Sequence, residues 1–380
     1  MPELLPDKMN TEAIFFALLR SGLWGTPADT SVFTGDKVDW KAILQLAKEQ
    51  AVLAVTFDGM ETLPSDLQPP KAVVVNWFTA VVRIEQSHEL LNRELANLVR
   101  LYRNKGIFSL LLKGQGVANL YVCPKHRQCG DIDLYLDKDY EKAKQFVKTL
   151  DVTFEPESDK HLGFQWNGVE VENHRKIARF YSPSNDKKLK KFLAGWLCEP
   201  QSSYLLGDVE ITVPAPGFNA VYLLIHASGH LMQEGIGLRQ VCDWARLFAV
   251  HSKDIDRERF VREIRFLDME AVASAFGYVL VNYLGLPPED FPLPVDGERT
   301  IKDGQFLIND ILMGGNFGVH HDDVKNKPKQ QNWKRKTYTY TKILSRCREL
   351  KRFSPAEARW YPVWRFGHLI NKMVHGRLWQ

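Results

Sequence analysis

The sequence predicts an α+β fold in which a small mixed sheet lies between two helical regions. Three observations carry this. Residues 107–112 form an apolar run of strand length interrupted only by Ser109, and Gly130-Asp131-Ile132-Asp133-Leu134-Tyr135-Leu136 alternates apolar with acidic side chains over its first half. Residues 161–166 and 169–174 flank Asn167-Gly168, a pair that favours a two-residue hairpin turn. On both sides of this stretch the apolar residues recur at helical spacing instead. The predicted organisation is a helical N-terminal region over residues 1–105, an α/β core over 106–215 and a helical C-terminal region over 216–380.

The elements follow in chain order. Residues 11–24 place Ile14, Phe15, Leu18, Leu19 and Leu23 on one helical stripe, with Gly25 and Pro27 as stop signals. Asp39 is placed to cap a second helix over 40–50. After Pro69-Pro70, residues 71–105 hold a helical pattern free of internal Gly and Pro, closed by Gly106. The core then reads as a strand ending at Lys113-Gly114, a short helix over 115–121, a loop over 122–130 and the acidic strand. A helix over 140–150, with Asp137 or Asp139 as its cap, precedes the hairpin. Strand, helix, strand, helix and hairpin together make a mixed sheet. Residues 186–196 read as helix, 207–213 as strand and the chain from Phe218 as mostly helical, including 355–380.

Composition narrows the function classes. The chain has 380 residues, 44% hydrophobic and 25% charged, which excludes wholesale disorder. No apolar run approaches the roughly 18 to 20 residues of a membrane span, and residues 1–10 lack the basic start and apolar stretch of a signal peptide. The five cysteines are an odd, scattered set, which argues against a disulfide framework. A cytoplasmic location is expected. Cys123, His126 and Cys129 lie close in sequence, but no second ligand pair at a zinc-finger spacing accompanies them.

The net charge of +4 conceals an uneven distribution, because 11 basic residues lie in the segment 325–352 against the single acid Glu349. Interleaved with Trp333, Tyr338 and Tyr340, this segment has the make-up of a polyanion-binding surface such as one for RNA, although charge runs are more often solvated faces. His320-His321-Asp322-Asp323 follows a Gly-rich turn and is expected to belong to a mobile loop.

The chemistry concentrates in the core. Side chains alternate faces along a strand, so Asp131 and Asp133 project together while Ile132 and Leu134 enter the core. Two adjacent like charges call for a cation, and all-oxygen ligands suit Mg2+ or Mn2+. By the same alternation Glu170, Glu172 and His174 share a face, and either glutamate is available as a third ligand. Gly114 at a strand-to-helix junction allows close approach of an anionic group to the backbone. Lys113 and Arg127 are placed either to hold a phosphate or to neutralise the two aspartates. His226 and His230 fall on one helix face, and the expected arrangement is hydrogen bonding to Asp243 or a carbonyl, since position 227 is Ala rather than the Glu of a zinc-protease helix.

The ordered set Lys113-Gly114, Tyr121, Pro124, Arg127, Gly130-Asp131-Ile132-Asp133 and Val171-Glu172-Asn173-His174 resembles the bacterial nucleotidyltransferase-like family related to the DNA polymerase beta superfamily. The resemblance continues through His226-Ala227-Ser228-Gly229-His230, Gly237-Leu238-Arg239, Asp243 and Gly314-Gly315-Asn316-Phe317-Gly318, so that it spans residues 14–318. It implies a minimal nucleotidyltransferase fold in which Asp131, Asp133 and, before Asn173-His174, Glu172 rather than Glu170 bind two Mg2+ ions. The usual Gly-Ser helix start is replaced here by Lys113-Gly114-Gln115. The implied activity is transfer of an NMP group from an NTP to an acceptor hydroxyl or phosphate. Lys113, Gly114 and Arg127 would hold the triphosphate, and His226, His230 and Arg239 would face the acceptor. The alternative is a catalytically inactive nucleotide- or RNA-binding protein on the same fold.

Overall fold

The computed structural model describes residues 6–34, 38–156, 158–318 and 333–374. Four helices open the chain: α1 (Pro6–Trp24), α2 (Trp40–Glu49), α3 (Leu53–Glu61) and α4 (Lys71–Asn104). The predicted stripe of α1 is wholly buried, and Asp39 caps α2 by accepting a 2.9 Å hydrogen bond from the Ala42 amide. Helix α4 is the spine of the molecule. Its first half packs Trp77 and Val81 into a large helical core, whereas Leu91, Leu95, Leu98, Val99 and Tyr102 pack beneath the sheet.

The sheet holds β1 (Leu110–Leu111), β2 (Asp131–Tyr135), β3 (Thr153–Phe154), β4 (His161–Trp166) and β5 (Val169–His174) in the spatial order β1-β2-β5-β4-β3. Between these strands lie α5 (Gln115–Ala118) and α6 (Tyr140–Val147). Strand β2 runs parallel to β5, and the other neighbours are antiparallel, so the sheet is mixed and the α+β prediction holds. Ile132, Leu134 and Val171 point into the core under α4, which leaves the acidic face toward the cleft.

Several details differ from the sequence prediction. β1 lies at the sheet edge and pairs over only two residues, Leu110 with Tyr135 and Leu111 with Leu134. Asp139 does not cap α6; its Oδ2 accepts instead from the Phe108 amide at 2.8 Å, tying the start of the core to the helix entry. Beyond α7 (Pro183–Leu197), the predicted strand has a partner: β6 (Ser202–Leu206) and β7 (Val209–Val213) form a separate hairpin. The remaining helices are α8 (Pro216–Gln233), α9 (Leu238–His251), α10 (Arg257–Phe266), α11 (Glu270–Asn282), α12 (Glu298–Gly314), α13 (Trp333–Leu350) and α14 (Pro355–Val374). They share one core with α1 to α3, and Trp24 donates its Nε1 proton to the Leu284 carbonyl at 2.6 Å. No helix among the described residues is long and apolar enough to cross a membrane.

Part of the basic segment lies on α13, where Arg346 is committed to an ion pair with Asp310, and Arg352 beyond it sits 3.6 Å from Asp303. Lys325, Lys327, Lys329 and the His320-to-Asp323 cluster lie outside the described residues.

Candidate active site

Register builds the site. Pairing of β2 with β5 sets Asp131 opposite Glu170, Asp133 opposite Glu172 and Tyr135 opposite His174. Asp131, Asp133 and Glu172 each offer an oxygen, and these atoms lie within 4.8 Å of one another. Glu170 stands outside that group. Three hard oxygen donors at this spacing fit a small divalent cation such as Mg2+ or Mn2+.

Asp133 is the electrostatic centre of the cluster. Its side chain is 1% exposed, with Oδ2 at 2.8 Å from the Lys113 ammonium and Oδ1 at 2.8 Å from His174 Nε2. Burial alone would raise its pKa, but these two partners outweigh it and hold the carboxyl well below the usual range. The charge on Asp133, followed by burial, pushes Asp131 upward. Burial would raise Glu172, but the hydrogen bond to His174 together with the electrostatic pull of His174 and His161 brings it below its ordinary value. Lys113 is likewise raised despite its burial, chiefly by Asp133, so its amine stays charged. The site thus carries its own counter-charge.

Lys113 ends the edge strand and Gly114 makes the turn into α5. Gly114 has φ +53° and ψ −120°, a conformation open essentially only to glycine. The helix that follows is one turn long, so it contributes little macrodipole, and the turn itself positions the backbone.

Facing the sheet are α8 and α9. Tyr222, His226 and His230 follow one another at four-residue spacing on α8, the two imidazoles meeting edge to face at 4.5 Å between centroids. Burial and then the charge of Lys113 keep His226 well below its ordinary pKa, hence neutral. Between the sheet and these helices lies a cavity of about 230 Å³. Lys113, Gly114, Arg127, Asp131, Asp133, Glu172, His226, His230 and Arg239 all line it.

Two contacts differ from expectation. Asp243 does not bond to the histidines; Tyr121 donates to its Oδ1 at 2.7 Å, and Arg127 grips it through Nε at 3.0 Å and Nη2 at 2.6 Å. Arg127 therefore neutralises Asp243 on α9 rather than Asp131 or Asp133, and its Nη1 lies 3.2 Å from Cys129 Sγ. Arg239, one turn earlier on α9, lines the cavity and donates to the Gln128 carbonyl at 2.9 Å. His126, adjacent to Arg127, is clamped between Asp58 at 2.6 Å and Glu85 at 3.2 Å.

Sequence reasoning missed Lys160, His161 and Gln240, which also line the cavity. The Lys160 amine is lowered by burial and by the facing Lys113. The signal for His161 was present in the turn. Counting outward from Asn167-Gly168 pairs Trp166 with Val169 and so His161 with His174, as observed.

Residues 36–285 match the family described as uncharacterised nucleotidyltransferase, about two thirds of the chain. Comparison with curated proteins and with solved structures gives no match.

Proposed function

Because the chain belongs to this uncharacterised nucleotidyltransferase family, we propose that it moves an NMP group from an NTP to an acceptor hydroxyl or phosphate, with Mg2+ or Mn2+ as the cation. The observation that carries the reading is the convergence of Asp131, Asp133 and Glu172 on one wall of a cleft whose other wall is α8 and α9. These carboxylates would hold the cation, which when bound supplies charge neutralisation at the acceptor oxygen and the departing pyrophosphate. In the transfer, a bond forms from the acceptor oxygen to the α-phosphorus as the bond to pyrophosphate breaks.

The chain's own groups divide the remaining work. Lys113 offers positive charge from a fixed, buried position, and the Gly114 turn brings backbone close to the same space, which together suit a triphosphate. Arg127 belongs with this set by position, but its grip on Asp243 makes it the residue that anchors α9 and so presents Arg239 to the cavity. Neutral His226, with His230 and Arg239, faces the sheet where an acceptor would lie. The cytoplasm is the proposed compartment, consistent with five free cysteines.

The test is transfer of label from an α-labelled NTP to candidate acceptors in the presence of Mg2+ or Mn2+. Transfer that is lost in Asp133→Asn supports the reading. Nucleotide or RNA binding that needs no metal and survives Asp133→Asn, with no transfer to any acceptor, would establish the binding-protein alternative instead.

A further inference from the structure

Glu172 belongs to a second group of donors. His161, Glu172 and His174 each present one ligand atom, all within 4.8 Å of one another, one register step along β5 from the carboxylate pair. Glu172 Oε2 is 3.0 Å from His174 Nε2 and 3.2 Å from His161 Nδ1. Ligands bonded at about 2.0–2.1 Å to one metal ion lie roughly 2.9–3.4 Å apart in octahedral or tetrahedral geometry. The two contacts of Glu172 therefore already have the spacing of neighbouring ligands in a coordination shell, and the third pair lies within 4.8 Å.

Hydrogen bonding accounts for the His174 side of this convergence, since its Nε2 lies 2.8 Å from Asp133 Oδ1 and 3.0 Å from Glu172 Oε2, but not for His161. His161 Nδ1 is buried and close to Glu172, yet it makes no hydrogen bond, because the contact lacks bonding geometry. The His174 ring is 1% exposed, so its nitrogens have no access to bulk water. The two imidazoles meet edge to face with centroids 5.2 Å apart, held by the pairing of β4 with β5. A buried polar atom left without a partner in a donor-lined pocket calls for a specific occupant.

We propose that His161, Glu172 and His174 form a second, nitrogen-rich cation position for a divalent transition-metal ion such as Mn2+ or Zn2+. Glu172 is shared with the carboxylate position. Imidazole donors suit Zn2+ above all and are accepted by Mn2+ beside a carboxylate, whereas Mg2+ keeps to oxygen. The two positions thus differ in chemistry: oxygen-only beside Asp131, mixed beside His161. The inference deepens the proposed function in that both use Glu172, but it stands on the two histidines, which that reading does not need.

The experiment loads chelator-treated protein with Mn2+, without nucleotide, and records pulsed electron paramagnetic resonance. Nitrogen modulation from imidazole is expected in the wild type and in Asp131→Asn, and its loss or reduction in His161→Gln. Calorimetric titration with Zn2+ provides an independent readout, with His161→Gln weakening binding at least about tenfold, a loss already typical of removing an outer partner of a metal site. Circular dichroism on each variant separates misfolding from lost coordination. Mn2+ bound through oxygen alone, or unchanged modulation and unchanged Zn2+ affinity in folded His161→Gln, would overturn the site. Oxygen-only Mn2+ together with nucleotidyl transfer sinks this inference and leaves the function, whereas nitrogen coordination without transfer does the reverse.

Discussion

Replacing Lys113 with methionine isolates the electrostatics of the cleft. Lys113 is 17% exposed at its side chain and Asp133 is 1% exposed, so Lys113→Met leaves a buried carboxylate with His174 as its remaining partner. Breaking a buried pair from one side costs about 3–5 kcal/mol, and the surviving His174 contact places this variant near about 3 kcal/mol. With an unfolding entropy of about 2.1 cal/mol/K per residue over 380 residues, that is a fall of about 4 °C in Tm. The sign with pH follows from the lowered Asp133 pKa. The pair contributes fully above the ordinary carboxyl value of 3.8 and fades as pH falls through the folded value, so the gap between variant and wild type closes in acid. Divalent cation gives the second readout. In the wild type an incoming Mg2+ meets an Oδ2 already held by Lys113; in the variant it does not. Tenfold tighter binding corresponds to about 1.4 kcal/mol of added stabilisation at saturating Mg2+. Differential scanning fluorimetry at 0 and 10-fold-stepped Mg2+ concentrations measures both effects. An unchanged Tm, or a Mg2+ response no larger than that of the wild type, refutes the view that Lys113 stands in for a cation at Asp133.

Three further outcomes follow from the same geometry. Arg127→Met leaves Asp243, 4% exposed, without its guanidinium and should destabilise by about 3–5 kcal/mol in chemical denaturation; Arg127→Met with Asp243→Leu should recover much of this, which would not happen if Arg127 acted only on a bound phosphate. Gly114→Ala forces a methyl-bearing residue into φ +53°, ψ −120° and should cost about 1–3 kcal/mol in urea unfolding; its added Cβ would sit 3.4 Å from the Asp131 carbonyl, so strain rather than collision is the cause. For His126, burial would lower the pKa, but Asp58 and Cys123 raise it to about 10. Its clamp therefore contributes fully below the unfolded value of 6.5 and is lost as pH rises through about 10, and the stability gap between wild type and His126→Gln should narrow over that window.

Much of the sheet was legible because its signals are local. Alternation placed Asp131 and Asp133 on one face, Asn167-Gly168 fixed the hairpin, and the two together determine that His161, Glu172 and His174 share a face with the aspartates. What failed were features decided by tertiary context. Only two residues of the apolar run at β1 join the ladder with β2, and β6 is a strand because β7 lies beside it, not because Ser202–Leu206 alternates clearly. Asp139 has the composition of a cap, yet the nearby Phe108 amide competes for its carboxylate and wins.

The opposite wall of the cleft obeys a different logic. His226 and His230 are legible from sequence as residues of one helix face and Arg239 from the family resemblance, but what each can do depends on neighbours far away in the chain. His226 is neutral because it is buried and because Lys113, 113 positions earlier, adds its charge, and Asp243 is withdrawn from the histidines because Tyr121 and Arg127 reach it first. The carboxylate wall is built by adjacent strands whose register is set by one turn, so its chemistry can be inferred from spacing. The helical wall is assembled from α8 and α9 against loops of the core, where the long-range pair of Arg127 with Asp243 ties α9 to the loop before β2. If the proposed transfer holds and this wall receives the acceptor, substitutions at His226, His230 and Arg239 should change acceptor choice while leaving Mn2+ binding at Asp131 and Asp133 intact, a separation that binding of Mn2+ measured beside transfer to each acceptor can resolve.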